Sequence, residues 1–363
     1  MSIQIKDEFR VSPFLVLFLV HGTQYGIGVL SFQRDVASIV GHDAWISVII
    51  TGVILHLLIW MMYSMLNKDK GDLITINQHT FGKWIGNLLS IFIIIFILSH
   101  TITVLRSYIE IVQVWMFPLL KTWPFALVIL LAVYYIVTSG FRVVTGVSFL
   151  SVVLPFYLVF TFFVPIEFSN FRNLLPVFDH SFVEMARSIK TTALSFSGIE
   201  HILFFYPFIQ KPESSQKWAH YGNLLTTSLY LLIMVVTLVF FEHEYLNSVI
   251  WPTLMLWKII ELPIVERFEI IGVTSWAVVM IPIICVMFWS ASRGIKEIFK
   301  VKQKKALVLL LFICFMISCF LTEREMIQQF NKWQSEVSFF ILLIYIPILF
   351  VCYHIRYKLR RKG

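Results

Sequence analysis

The stretch VHGTQYGIGVLSF, residues 20–32, decides the fold. It begins at the end of the apolar run FLVLFLV, about halfway through the first segment that could cross a membrane, yet it holds three glycines, a histidine, a threonine, a glutamine and a tyrosine. A helix in lipid must satisfy its own backbone hydrogen bonds, so a break is tolerated where it lines a cavity or meets a ligand. The stretch therefore predicts a broken membrane helix.

The composition is that of a polytopic membrane protein. The chain has 363 residues, of which 58% are hydrophobic and 14% charged, and its mean hydropathy is +0.83. No polar segment is long enough for a separate soluble domain, so we expect one transmembrane domain over residues 1–363. The four cysteines lack metal-ligand spacing, and no nucleotide-binding or catalytic motif is present. The sequence predicts no metal site, no cofactor and no enzymatic activity.

Hydrophobic runs predict ten membrane crossings. With both termini in the cytoplasm, 19 of the 29 Lys and Arg residues lie in cytoplasmic segments and 8 in outer ones, as the positive-inside rule requires. The net charge of +8 then faces anionic lipid headgroups, and nucleic-acid binding is not expected. The expected crossings are 11–40 (interrupted), 44–66, 85–117, 124–139, 143–166, 185–209, 221–241, 270–293, 305–321 and 337–355.

Two segments differ from an ordinary crossing. The third crossing is the longest without an interruption; at about 1.5 Å per residue it reaches roughly 50 Å, so it must tilt strongly in a bilayer. The outer segment from Glu242 to Glu269 is broken by proline and too charged to span. We expect it to lie across the extracellular face as a lid.

The ten crossings divide into two sets of five, about 11–166 and 185–355, and an odd number per set gives the halves opposite orientations. Many secondary transporters have this inverted repeat, and their ligand site lies at the midplane, where the first helix of each half is broken. The first helix of the second half is interrupted at the corresponding place, in ALSFSGIEHILFFYP, residues 193–207. The sequence thus predicts an all-α membrane protein with a 5+5 inverted repeat and broken helices 1 and 6.

Unwinding at Gly26 and Gly198 would expose backbone N–H and C=O groups. Half-helix N-termini attract a carboxylate and unpaired carbonyls hold an ammonium group, so an amino acid suits both, and a sugar would use the same groups without charge. The alternative is that Gly22 and Gly26 form a GxxxG face for close helix packing. Gly28, the polar neighbours of these glycines and the second break favour the ligand site.

The third helix should cross beside this site with one face at i, i+3 and i+4 spacing, made of Phe96, His100, Thr103, Ser107 and Glu110. Phe96 and His100 lie deepest, and they either contact the ligand or are ordinary packing residues.

Three charged residues lie within the predicted crossings near this site. Arg106 and Glu110 are one turn apart and are candidates for coupling to an ion, but a structural ion pair near the outer interface is the preferred interpretation. Glu200 directly follows the second break, where a carboxylate must be partnered or protonated. It is either a cation-coupling group or a lock on the break.

Six stretches together resemble the B subunit of bacterial spore germinant receptors, the GerAB type: QYGIGVL, GHDAWISVII, GKWIG, NFRNLLPV, SFSGIE and WPTLMLWKIIELPIVERFE. The resemblance extends over essentially the whole chain. It implies the LeuT-like fold of the amino acid, polyamine and organocation transporters. It also implies that the chain senses a small nutrient within a complex with an A subunit and a lipoprotein C subunit in the inner spore membrane, and so triggers germination.

Carried over position by position, the resemblance places the ligand pocket among helices 1, 3, 6 and 8. One position departs from the family, since Gln33 stands where relatives often carry a proline shortly after the helix 1 glycines. The pocket residues that the resemblance implies are Gly26, Ile27, Gly28, Phe96, His100, Ser197, Gly198, Ile199, Ile283 and Met287.

Two functions compete at this point, a nutrient receptor subunit and an amino-acid transporter driven by Na⁺ or H⁺. Proton-coupled relatives often place a lysine in helix 5, and residues 143–166 contain none. Hydroxyls for a Na⁺ site on helix 8 would come from Ser290 and Ser292, near its cytoplasmic end. We expect the receptor, mainly from the resemblance, because the residues alone indicate a ligand-binding transporter fold and no more.

Overall fold

The structure, a computed structural model, describes residues 5–261, 263 and 265–362. Its regular structure is helical, as the hydropathy predicts. The first half of the chain forms α1 (Val16–Gln24), α2 (Phe32–Val40), α3 (Ala44–Asp69), α4 (Leu73–Phe81), α5 (Lys83–Trp115), α6 (Thr122–Thr138), α7 (Phe141–Val153) and α8 (Leu158–Thr161). The second half forms α9 (Phe182–Ser195), α10 (Ile202–Phe205), α11 (Gln216–Phe240), α12 (His243–Ser248), α13 (Pro252–Lys258), α14 (Phe268–Phe299), α15 (Gln303–Phe320), α16 (Arg324–Phe340) and α17 (Ile346–Lys362).

Several helices are long and apolar enough to cross a membrane. Large apolar side chains point outward from them, such as Leu88 at 68% and Leu131 at 57% exposure, which suits contact with lipid. The chain is therefore an integral, all-helical membrane protein. Within the described residues, two shorter apolar helices, Pro13–Gln24 and Thr122–Thr138, accompany seven candidate spans, which are Phe32–Asp69, Lys83–Trp115, Phe141–Phe168, Pro212–Phe240, Phe268–Phe299, Gln303–Phe320 and Arg324–Arg360.

The two long helices α5 and α14 pack against each other and form the centre of the molecule. The bounds of α5 are close to the predicted crossing 85–117. α14 continues through Pro282, which lacks a backbone N–H and so removes one hydrogen bond from the helix. α1 packs on α7, α11 and α14, and α9 packs on α2, α3 and α16. The first interrupted segment therefore reaches the central helix α14 through α1, and the second reaches it through α10.

Two predicted crossings differ in detail from the helices observed. The predicted fifth crossing, 143–166, is divided after α7 by 3-10 turns that contain Pro155 and Pro165, because proline cannot continue the hydrogen-bond pattern of a helix. The last helix is longer than predicted, since α16 and α17 are continuous through a π-helical turn at Ile341–Tyr345.

The outer segment between α11 and α14 forms the short helices α12 and α13. α13 packs on α14, and its Trp257 is fully buried and donates from the indole N–H to the Thr161 hydroxyl at 3.0 Å. The segment therefore packs on α14 and α8, and its placement as an extracellular lid stays a prediction. Two of its residues, Leu262 and Ile264, lie outside the described residues.

The chain before α1 is tied to the end of the second interrupted helix. The Val11 N–H donates to the Phe208 carbonyl at 2.9 Å, and the Gln210 N–H donates to the Val11 carbonyl at 2.8 Å, which makes a short parallel bridge. Arg142 of α7 holds the same segment through the Arg10 carbonyl at 3.0 Å. The start of α1 and the end of the second interrupted helix are thus joined through their backbones.

Candidate ligand site

The first break lies between α1 and α2. α1 ends at Gln24, Tyr25 leaves the helical region with φ −89° and ψ 74°, and a 3-10 turn at Ile27–Leu30 precedes α2. Glycine is a poor helix former, and Gly26 and Gly28 occupy this turn. The first N–H groups of a helical turn have no partner inside it, so those of the 3-10 turn are available to a ligand.

The second break lies between α9 and α10. α9 ends at Ser195, and Gly198 has a φ of +138°, which glycine adopts without strain. A Cβ atom on Gly198 would stand 2.6 Å from the carbonyl oxygen of Thr23, in the last turn of α1. The Thr23 hydroxyl, which lies 2.8 Å from the Leu19 carbonyl of its own helix, also lies 3.2 Å from the Gly198 carbonyl. The two breaks therefore meet with their backbones in contact.

Side chains satisfy carbonyl groups that the breaks leave without helical partners. The hydroxyl of Tyr230 on α11 lies 3.1 Å from the carbonyl oxygen of Gln24 and 2.8 Å from that of Ser195, so one side chain joins both breaks. The Gln24 amide donates to the Phe196 carbonyl at 3.3 Å. These contacts hold the two unwound segments in a fixed arrangement.

Glu200 folds back onto the second break. Its carboxylate accepts the Gly198 N–H at 2.8 Å and the Ser197 hydroxyl at 3.3 Å, and the residue is 1% exposed. A buried carboxylate requires donors of this kind. Of the two interpretations of Glu200, the contacts favour the lock on the break over the cation-coupling group.

A cavity of about 670 Å³ opens beside both breaks, with walls from α1, α2, α5, α9, α14 and α16. Three of the ten pocket residues implied by the sequence do not line it. They are Phe96, Gly198 and Ile199. Phe96 is 1% exposed, and its ring centroid lies 5.9 Å from that of His100. The other seven line the cavity: Gly26, Ile27, Gly28, His100, Ser197, Ile283 and Met287.

α5 supplies a polar wall of the cavity. His100, Thr103, Ser107 and Glu110, which share one face by their spacing, all line it. Within the described residues, His100 Nδ1, Thr103 Oγ1 and Asn331 Oδ1 on the facing helix α16 are buried without a hydrogen-bond partner. Because buried polar atoms are normally paired, these three atoms are suited to contact a ligand.

The end of the cavity away from the breaks carries charges of both signs. Arg34 Nη2 lies 2.8 Å from Asp35 Oδ1, and Arg324 Nε lies 3.9 Å from Glu110 Oε1. Lys332 lines the same region. Partly exposed pairs of this kind contribute little to stability, about 0–1 kcal/mol each. The charges therefore lie at the mouth of the cavity, while its floor at the breaks is uncharged.

The glycines of helix 1 differ in what surrounds them. A Cβ on Gly22 would meet Ser151 Oγ at 3.7 Å, which is an ordinary contact. A Cβ on Gly26 would meet Ile283 Cδ1 at 3.1 Å, the end of a side chain in the cavity wall. A GxxxG face requires close backbone approach at both glycines. The geometry favours the break over the packing face.

The model of a protein family described as spore germination protein matches residues 10–327. The chain belongs to this family. It is 44% identical over 358 residues to spore germination protein GerQB of Bacillus cereus, with 99% of each chain covered. The resemblance to germinant receptor B subunits is therefore confirmed. The family consists of non-enzymatic membrane receptor subunits, and membership implies a receptor complex.

The fold of this spore germination protein is similar to that of LeuT-fold transporters. A Na⁺-coupled sialic acid symporter matches with a TM-score of 0.62 over 95% of this chain and 76% of that chain, at 12% identity. A manganese transporter of Eremococcus coleocola matches with a TM-score of 0.56 over 93% of this chain and 78% of that chain, at 12% identity. The likeness at this identity concerns the fold alone.

The outer part of the last helix of this spore germination protein lines the cavity, which the sequence analysis missed. α16 begins at Arg324, so the predicted start of the last crossing at 337 is wrong. The segment REMIQQFNKWQSE is too polar for a hydropathy argument, although its spacing places four polar residues on one face. These cavity-lining residues are Gln328, Asn331, Lys332 and Ser335.

α11 supports the first break of this spore germination protein from behind, and the sequence analysis missed it too. Thr226 Oγ1 lies 2.9 Å from His21 Nδ1, and Asn223 Oδ1 accepts from the Gln24 amide at 3.1 Å. Together with Tyr230 they form a polar stripe at i, i+3 and i+7 in an apolar helix. The spacing of these three polar residues is the sequence feature from which the role of α11 could have been predicted.

The expected ion pair between Arg106 and Glu110 is not formed among the described residues. Arg106 Nε donates to the Leu321 carbonyl at 2.5 Å and Nη2 to the Thr322 carbonyl at 3.3 Å, just beyond the last turn of α15. Glu110 faces Arg324 instead. Helix ends leave carbonyls without partners, and a guanidinium group carries enough donors to bind two. Arg106 therefore binds the carbonyl groups at the end of α15 instead of the Glu110 carboxylate.

Gln33, the position that departs from the family, connects α2 to the outer segment in this spore germination protein. Its amide donates to Thr253 Oγ1 of α13 at 2.6 Å, and the Thr253 hydroxyl donates to the Val29 carbonyl at 2.7 Å. Proline has no side-chain donor. The outer half-helix is therefore tied to the lid by a contact that a proline at this position could not make.

Proposed function

We propose that this spore germination protein binds a small nutrient, an amino acid or a sugar, between its broken helices and thereby triggers germination. One observation carries the proposal. Both breaks border a single cavity of about 670 Å³, and among the described residues its walls present buried polar atoms without protein partners. Such atoms are costly to bury unless a ligand completes their hydrogen bonds.

The proposal includes a topology of ten crossings in two inverted halves, about 11–166 and 185–355, with both termini in the cytoplasm. Its support is that the interrupted helices are the first of each half, and that the similarity to a LeuT-fold symporter covers 95% of the chain. In such folds the ligand site lies at the midplane beside the broken helices.

The polar groups of the nutrient would form hydrogen bonds with the cavity walls rather than with the carbonyl groups at the breaks. The Gln24 and Ser195 carbonyls share the single hydroxyl hydrogen of Tyr230, whereas His100 and Thr103 retain unused hydrogen-bonding atoms. The apolar side chains of Ile283 and Met287 would contact the rest of the ligand. Differences in these wall residues would then determine which nutrient is sensed.

Sensing requires that the nutrient bind one conformation better than another, because a ligand with equal affinity for two states shifts neither. In the proposed receptor, closure of the cavity on the nutrient changes the populations, and an A subunit and a lipoprotein C subunit in the inner spore membrane detect the change. The chain itself needs no catalytic group for this role.

The unpaired wall atoms give a direct test. Thr103→Val removes a hydroxyl that has no protein partner and keeps the shape of the side chain, so the melting temperature of the purified protein should be unchanged or higher. If the hydroxyl binds the nutrient, its loss should raise the half-maximal nutrient concentration for germination about two- to tenfold. The nutrient is the one to which spores stop responding when this gene alone is deleted.

The matched control is Thr101→Val on the same helix. Thr101 is buried, but its hydroxyl donates to the Ile97 carbonyl at 2.7 Å and does not line the cavity. This variant should leave the half-maximal nutrient concentration for germination unchanged. An equal response of the wild type and Thr103→Val would contradict the placement of the ligand against α5.

The second candidate function is an ion- or proton-coupled amino-acid transporter, because the fold is shared with a Na⁺-coupled symporter. The helix 8 hydroxyls considered for a Na⁺ site are engaged within the protein: Ser290 Oγ lies 3.1 Å from His201 Nδ1, and Ser292 donates to the Trp289 carbonyl at 3.1 Å. A hydroxyl that donates its hydrogen keeps lone pairs that a cation could use, so the two functions are separated by measuring transport.

Uptake separates the two functions. Proteoliposomes that contain this chain alone, loaded to give an inward Na⁺ or H⁺ gradient, should bind the radiolabelled nutrient without concentrating it. The measurement is internal nutrient against time, with liposomes lacking protein as the control. Accumulation above the external concentration that collapses with the gradient would establish the transporter instead.

A further inference from the structure

A second cavity, of about 460 Å³, lies at the C-terminal end of α14, beyond Ile283 and Met287, which line the proposed nutrient site. The residues before α1, the junction of α6 and α7, the end of α14 and the start of α15 enclose it. By the proposed topology it opens to the cytoplasm. It shares no lining residue with the outer cavity, so it requires a separate explanation.

The charge of this inner cavity is strongly positive. Among the described residues that line it there is no acidic side chain, whereas four are basic: Lys6, Arg293, Lys296 and Lys304. Two carboxylates face Arg293 from nearby. Glu297 accepts from Arg293 Nη2 at 2.8 Å but also lies 3.4 Å from Lys300, and Asp72 accepts the Thr75 N–H at 3.0 Å. Lys6 is likewise paired, since its Nζ lies 3.7 Å from Glu8 Oε1. Among the described lining residues, the positive charge without a carboxylate at ion-pair distance is therefore that of Lys296 and Lys304.

Arg293 is the buried member of this group. Its side chain is 7% exposed, and its guanidinium carbon lies 5.1 Å from the centre of the Phe208 ring. Within the described chain, its Nε atom is buried and has no hydrogen-bond partner. A buried charged donor without an acceptor is costly, so an anionic acceptor in the cavity would be stabilised there.

The residue types identify the class of anion. Arginine and lysine together bind phosphate oxygens, through planar paired donors and through point charge respectively. Apart from Thr138 and Gln303, the remaining lining is uncharged and mostly apolar or aromatic, including Phe9, Phe141, Trp289 and Leu307. Basic pockets between membrane helices on the cytoplasmic side are typical sites for phosphate-bearing headgroups.

We propose that the inner cavity binds a phosphate group between Arg293, Lys296 and Lys304. This chemistry is shared by an anionic phospholipid headgroup and by free phosphate. The site includes Phe9 from the segment before α1 and Phe208 from the end of the second interrupted helix. An occupied site would hold these two segments against α14.

The test uses the full chain in nanodiscs of phosphatidylcholine, with and without phosphatidylglycerol, and in a separate arm with inorganic phosphate added. The readout is the melting temperature as each probe is titrated. The variant is Lys296→Gln with Lys304→Gln, chosen because replacing Arg293 would also break its pair with Glu297. The control is Lys83→Gln with Lys217→Gln, which removes two exposed lysines that do not line the cavity.

The wild type and the control should be stabilised by at least one probe, and the cavity variant should need about tenfold more of it. Stabilisation by phosphatidylglycerol alone identifies a lipid headgroup, and stabilisation by inorganic phosphate identifies a free phosphate, both in support of the site. If neither probe stabilises the wild type, or if the cavity variant responds like the control, the site does not exist.

Discussion

Spores whose only receptor for the nutrient carries Gly198→Ala in this chain are expected not to respond to it. Gly198 has a φ of +138°, which costs other residues about 1–3 kcal/mol of strain. The added methyl group would also stand 2.6 Å from the Thr23 carbonyl oxygen, and a backbone atom cannot move aside as a flexible side chain can. The two breaks would be forced apart, and larger residues such as leucine would act in the same direction.

The measurement is the fall in optical density of a spore suspension after nutrient addition, with the amount of receptor in the inner membrane followed by immunoblot. The matched control is Gly22→Ala, directly before Thr23 in α1, where a Cβ would meet Ser151 Oγ at 3.7 Å. Alanine is the better helix former by about 1 kcal/mol, so this variant should germinate normally. Normal germination of Gly198→Ala spores would show that the contact between the breaks is not needed.

Tyr230→Phe is expected to destabilise the protein by about 1–3 kcal/mol and to reduce the nutrient response strongly. The hydroxyl lies between the carbonyls of Gln24 and Ser195, one from each break, and its loss removes the one hydrogen that they share. Phenylalanine keeps the ring contacts with Phe32 and Phe196, so the change isolates the hydroxyl.

Tyr221→Phe on the same helix provides the comparison, because Tyr221 is 52% exposed and its hydroxyl has no role at the breaks. Melting temperature of the purified protein and spore germination are measured for both variants. We expect Tyr221→Phe to match the wild type in each. A Tyr230→Phe protein with unchanged melting temperature and response would mean that the breaks hold their arrangement without this bond.

The positions of the two breaks could be predicted from the sequence because glycine and polar residues are conspicuous inside apolar runs. Gly26 and Gly198 both lie where the helix is interrupted, and Gly198 adopts a backbone conformation that favours glycine. The face of α5 followed from spacing alone, since His100, Thr103 and Ser107 all line the cavity. Periodicity and backbone preference are local properties, and a sequence contains them directly.

The partners of the breaks could not be predicted in the same way. Tyr230 contacts Gln24 across a separation of 206 residues, and nothing local indicates which carbonyls its hydroxyl meets. Arg106 illustrates the same limit, because the nearest acid in sequence, Glu110, is paired with Arg324 and the guanidinium caps another helix. The polar part of α16 was missed because hydropathy identifies lipid-facing helices and undervalues a helix that lines a wet cavity.

The bridge between Val11 and Ile209 has a mechanical consequence. It joins the segment that leads into α1 with the end of the second interrupted helix, so the ends of both helices that lie away from the breaks are linked through their backbones. A displacement of one linked end would be transmitted to the other. A neighbouring subunit that contacts this linked segment would therefore detect motion that begins at either break.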